Sequence, residues 1–131
     1  MRAEKVVKSL LDGAAGVTAI VGTKIYAVMA AQADDAPFIV YAKESATRDR
    51  YISLGGPTVV HATISIQCVA LDYATLKNLG EEVRLALMGA HGTIAGVDVV
   101  SIETATEGAD AFEPDLRLFG QNWQFEVIHQ E

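Results

Sequence analysis

Residues 58–89, TVVHATISIQCVALDYATLKNLGEEVRLALMG, decide the fold. The stretch opens with a period of two: Val60, Ala62, Ile64, Ile66 and Cys68 alternate with His61, Thr63, Ser65 and Gln67. One face is apolar and the other wettable, which predicts a half-buried antiparallel strand. At Asp72 the period changes. Tyr73, Leu76, Leu79, Val83 and Leu87 recur at helical spacing, with Lys77, Glu81, Glu82 and Arg84 between them. Asp72 suits the N-cap, where a carboxylate accepts from the first free N–H groups, and Gly89 suits the left-handed position past the end. Folding the helix back over the strand hides both apolar faces, so the core is expected there. Gly80 in mid-helix costs about 1 kcal/mol relative to Ala, which a close approach of helix to sheet would offset.

Upstream, Val6, Val7, Leu10 and Leu11 form one helical stripe that Gly13 ends. Val17 to Val21 adds a short helical turn, and residues 23–29 read as a short strand. Residues 30–37 read as a loop holding Asp34 and Asp35, a carboxylate pair best explained as solvated. After Pro37, Phe38, Val40 and Ala42 alternate with Ile39, Tyr41 and Lys43, so the strand begins apolar on both faces. From Glu44 to Pro57 the pattern dissolves into charges, Ser, Thr and Gly, a length beyond a tight turn. That arm carries Arg48, Arg50 and Tyr51. A solvated arm and an interaction arm fit it equally, the second because Arg and Tyr are common interface anchors.

Downstream, residues 90–96 read as a Gly-rich turn and residues 97–104 as a strand. Glu103, Glu107, Asp110, Glu113 and Asp115 follow with no basic residue among them, and the expectation is an acidic hairpin tip. Their spacing matches no EF-hand loop. Residues 116–129 form a last long strand, with Phe119, Trp123, Phe125 and Val127 on one face together with Gln121. The expected class is therefore α+β: a mainly antiparallel sheet of about four strands covered by an N-terminal and a central helix, in a single domain over residues 1–131.

Composition narrows the function. Half of the 131 residues are apolar and the formal net charge is −7. Residues 51–131 hold three Lys/Arg against eleven Asp/Glu, and an acidic chain is poorly suited to gripping phosphates, so specific nucleic-acid binding is not expected. The lone Cys68 falls on an apolar strand face, where an inert buried thiol fits a reducing compartment. No basic start leads into an apolar leader segment, and no apolar run approaches the roughly 18 residues that span a bilayer. No membrane partner is expected. The three histidines show no HExxH spacing, no phosphate-cradling or GxSxG motif exists, and no metal, cofactor or catalytic residue is assigned.

The order of segments resembles the small tail-completion proteins of long-tailed bacteriophages. The resemblance rests on Val17, Ala19, Ile20, Val21 and Gly22, then Ile25 and Tyr26, then Ala31, Gln32 and the run Pro37 to Tyr41. It continues through IQCVALDYATLKNLGEEVRLALMG and the terminal LFGQNWQFEVIHQE, and so covers nearly the whole chain. Ala27 stands where the family often carries Pro after Tyr, and Gln67 replaces an acidic or polar strand residue. The resemblance implies a structural virion protein, not an enzyme. It implies a ring, typically six-fold, that caps the tail tube and meets the head connector. Its partners would then be its own copies, the tail tube protein and the head connector protein. It would be made in the host cytoplasm and end at the head–tail junction. Within that ring, Arg48, Arg50 and Tyr51 of the arm are expected to meet Glu107, Asp110, Glu113 and Asp115 of a neighbour. The competing expectation is a small enzyme or regulator using Asp34 and Asp35 or the acidic hairpin.

Overall fold

The computed structural model describes residues 2–28, 36–50, 58–115 and 117–130. Helices α1 (Arg2–Gly13) and α2 (Ala15–Val21) lead into strand β1 (Ile25–Ala27). Two long strands follow, β2 (Phe38–Arg50) and β3 (Thr58–Ala70), and then helix α3 (Tyr73–Leu87). Strands β4 (Gly92–Ile94), β5 (Val97–Glu113) and β6 (Leu118–Gln130) complete the chain.

The six strands form one sheet in the order β1-β2-β3-β6-β5-β4. The expectation of about four strands is corrected by two three-residue strands: β1 lies within the short strand read over residues 23–29, and β4 lies within the stretch read as a turn. β1 pairs with β2 in parallel, and every other pair is antiparallel. β3 and β5 both run antiparallel to β6, which lies between them, so they are parallel to each other. Helix α3 leads from β3 across β6 and β5 to β4, with the antiparallel pair β2–β3 before it in the chain and the antiparallel pairs β4–β5 and β5–β6 after it. The turn from β4 into β5 has positive φ at Ala95 and Gly96, +52° and +78°, the geometry of a two-residue turn that follows strand twist.

One face of the sheet carries all three helices. Ile64 and Ile66 of β3 and Trp123 and Phe125 of β6 join Leu76, Val83 and Leu87 of α3 in a single buried cluster, as the two periods required. Val6, Val7 and Leu11 of α1 and Val17 and Val21 of α2 complete it. Asp72 caps α3 by accepting from the Thr75 backbone N–H at 2.7 Å. Beyond the helix, Gly89 takes φ +80° and its N–H donates to the Ile102 carbonyl at 2.9 Å. Tyr73 departs from the expected stripe: it is 48% exposed.

No helix among the described residues lies on the opposite face. At one end Ala36, Phe38, Val69 and Leu118 make a small second cluster with Tyr26 and Val40 against it, which accounts for the apolar start of β2 on both faces. The remainder is mostly polar, with Val59 and Ile128 half-buried among the polar side chains.

Candidate assembly surfaces

Backbone pairing recasts the predicted arm. β2 stays paired with β3 as far as Arg50 opposite Thr58, so residues 44–50 are strand and not loop. Tyr51, like Asp34 and Asp35, lies outside the described residues. The alternation was hidden here because little of this segment reaches the core. Glu44, Ser45, Thr47 and Arg48 are exposed, and only Ala46 is half-buried against the main cluster. A bulge between Lys43 and Ser45 also breaks the period.

The acidic stretch is likewise a strand for most of its length. β5 pairs with β6 from Val99 opposite His129 to Glu113 opposite Leu118, and only the turn beyond Glu113, with Asp115, is left as a tip. Glu107 and Asp110 face the helices. Asp110 accepts from the Tyr73 hydroxyl at 2.7 Å and from Lys77 Nζ at 2.9 Å, clipping β5 to the first turn of α3. Those two donors, the hydroxyl first, hold the Asp110 carboxyl below the usual carboxylate range. The same bond to Asp110 raises the Tyr73 hydroxyl and the Lys77 ammonium above theirs. Gln121, buried beside them, donates to the Gly108 carbonyl at 2.9 Å and to Glu107 Oε1 at 3.4 Å. Glu113 Oε1 accepts from the Asp115 backbone N–H at 3.2 Å.

Within one chain, these two charged segments do not meet. β3 and β6 separate β2 from β5. The Arg50 end of β2 lies level with the Gln130 end of β6, and the Glu113 end of β5 lies at its Leu118 end. Arg48 and the acidic residues are therefore on opposite edges and towards opposite ends.

Two further surfaces are visible only in the fold. The uncovered sheet face presents Thr47, His61, Thr63, Ser65, Gln67, Asn122, Gln124, Glu126 and Glu103, as the pairing registers require. Among its described side chains the four long strands place no Lys or Arg there. His61 Nδ1 lies 2.7 Å from Glu126 Oε1, and Gln124 Nε2 donates to Glu44 Oε2 at 2.6 Å. The second surface is aromatic. Phe112 packs 4.7 Å from Phe119, centroid to centroid, and Tyr73 lies 6.1 Å from Phe119, with Leu71 exposed nearby in sequence. Phe112 could have been read as an apolar residue out of place among carboxylates.

No group of three or more potential metal ligands occurs among the described residues, and no helix there is long and apolar enough to cross a membrane. Cys68 is buried, and desolvation pushes its thiol up to about 12.

A protein-family profile described as Tail completion protein gp17 matches residues 5–130. The chain belongs to that family. Its members are structural phage tail proteins, so the reading as a small enzyme or regulator is set aside. Among solved structures, a chain from the "Virion of native gene transfer agent (GTA) particle" superposes with a TM-score of 0.74 at 19% identity. The match covers 96% of this chain and 92% of that one, and it shows that the tail completion protein shares its fold. No curated protein matches the sequence.

Proposed function

We propose that this tail completion protein forms a ring, six-fold as in the resemblance above, that caps the tail tube and joins it to the head connector. The observation that carries the reading is the family match over residues 5–130. The surfaces support it. A ring subunit needs two different contact surfaces on its flanks, and the chain carries a hairpin with Arg48 and Arg50 on one edge and carboxylates on the other. It also needs a wall past which DNA slides. A face of Ser, Thr, Asn, Gln, Glu and one His, without Lys or Arg, offers phosphates no fixed cation to grip.

The proposed contacts between subunits run from Arg48, Arg50 and Tyr51 of one copy to Glu107, Asp110, Glu113 and Asp115 of the next. Asp110 would be shared, since Tyr73 and Lys77 already hold it. The partners are further copies, the tail tube protein and the head connector protein; assembly takes place in the host cytoplasm and ends at the head–tail junction. Reversing Arg48 and Arg50 to Glu tests the contact. Assembly on purified tail tubes should be lost while the monomer melts as wild type does. Undiminished assembly of the double variant would remove this contact from the account.

A further inference from the structure

We propose that the subunits join through their sheet edges, residues 42–50 of β2 in one copy pairing antiparallel with part of residues 100–113 of β5 in the next. This rests on the ring reading and specifies its main-chain contact. β1 covers only the start of β2, setting Ile25 beside Ile39, Tyr26 beside Val40 and Ala27 beside Tyr41. The Val28 N–H then donates to the Tyr41 carbonyl at 2.8 Å and ends that ladder. At the other edge β4 covers β5 only from Val97 to Val99. Beyond these short ladders no described strand pairs with the outer edge of either β2 or β5, and each presents a row of backbone donors and acceptors.

Direction and charge choose the pairing. The junctions β2–β3, β3–β6 and β6–β5 are all antiparallel, so β2 and β5 run in opposite senses. A copy set alongside to continue the sheet meets its neighbour antiparallel, as at each inner junction. The β5 edge carries Glu103, Glu107, Asp110 and Glu113 and no cation, whereas the β2 edge carries Lys43, Arg48 and Arg50 against Glu44 and Asp49. Two β5 edges would align carboxylates with carboxylates, which is unfavourable. β2 on β5 sets the edge that carries three cations against the edge that carries none. That contact is head-to-tail, the kind that closes into a ring when the rotation permits.

Register follows from the existing ladders. Arg48, Val60, His129 and Val99 lie at one level, and Lys43, Ile64, Phe125 and Thr104 at another. Level continuation sets Lys43 beside Thr104, next to Glu103. A stagger, which any closed barrel of tilted strands requires, slides Arg48 along β5 towards Glu107, which by register lies on the same helix-covered face, and lengthens the overlap. The bulges in β5 and the one in β2 interrupt both edges, which discourages indiscriminate pairing.

Hydrogen exchange on the full chain, free and assembled on purified tail tubes, tests the proposal. Amides within residues 42–50 and 100–113 should slow by about tenfold or more on assembly. A ring that forms without protecting them overturns the edge pairing and leaves the ring reading standing; failure to form any ring overturns both. A charge swap gives a second readout. Lys43, Arg48 and Arg50 to Glu, or Glu103, Glu107 and Glu113 to Lys, should each block self-assembly, and mixing the two variants should restore contacts between them. Folded variants, checked by circular dichroism, that fail to associate on mixing would contradict the proposal.

Discussion

A Cβ added to Gly80 would lie 3.1 Å from Trp123 Nε1 and 3.3 Å from Gln121 Oε1. This is where α3 comes down on β6, and the glycine makes the approach possible. Trp123 has little room to retreat, because its ring stacks on Phe125 at 6.0 Å. Gly80→Ala should therefore lose more by overpacking, about 1–3 kcal/mol, than the roughly 1 kcal/mol it gains in helix propensity. Thermal melts of G80A and G80V should show both below wild type, with Val the lower. A stabilised G80A would mean that the helix sits further from the sheet than this.

Ile66 and Leu87 have no solvent exposure and belong to the same cluster. Truncating either to Ala should cost about 2–5 kcal/mol in denaturant unfolding. An unchanged midpoint would separate α3 from β3.

The Asp110 clip predicts a pH dependence. Its carboxyl is held below the usual range by Tyr73 and then Lys77, so the folded state favours the ionised form. A depressed carboxyl contributes stability above its unfolded value, and that contribution is lost as pH falls through the lower folded value. Asp110→Asn should thus flatten the acid side of the midpoint-against-pH curve and, because Tyr73 and Lys77 lose the bond that raises them, flatten the alkaline limb too, leaving the shape near neutral pH alone. An identical acid limb in the variant would show that the clip contributes nothing in solution.

Cys68 predicts a reactivity. With the thiol pushed up to about 12 by burial, native protein should resist alkylation at neutral pH. Labelling should track unfolding in denaturant. Rapid labelling of folded protein would place Cys68 outside the core.

What could be read from the sequence follows from how much of each segment faces the core. Val60 to Cys68 and Leu76 to Leu87 each bury one face completely, so their periods were plain and the cap at Asp72 and the close approach at Gly80 followed. Residues 44–50 and 105–113 hang from the edges and carry bulges, and among their described side chains little is buried beyond Ala46, so strand looked like loop. The bond from Tyr73 to Asp110 joins residues remote in the chain and leaves no local pattern. β1 fell within the short strand read over residues 23–29, whereas β4 was too short for any period to emerge and read as a turn.

The central claim is that this tail completion protein finishes the tail and joins it to the head. Electron microscopy of particles assembled without it tests that most directly. The account predicts full heads beside unattached tails, with tail ends uncapped or of irregular length, and restoration when the wild-type protein is supplied. Normally joined particles of uniform tail length in its absence would contradict it.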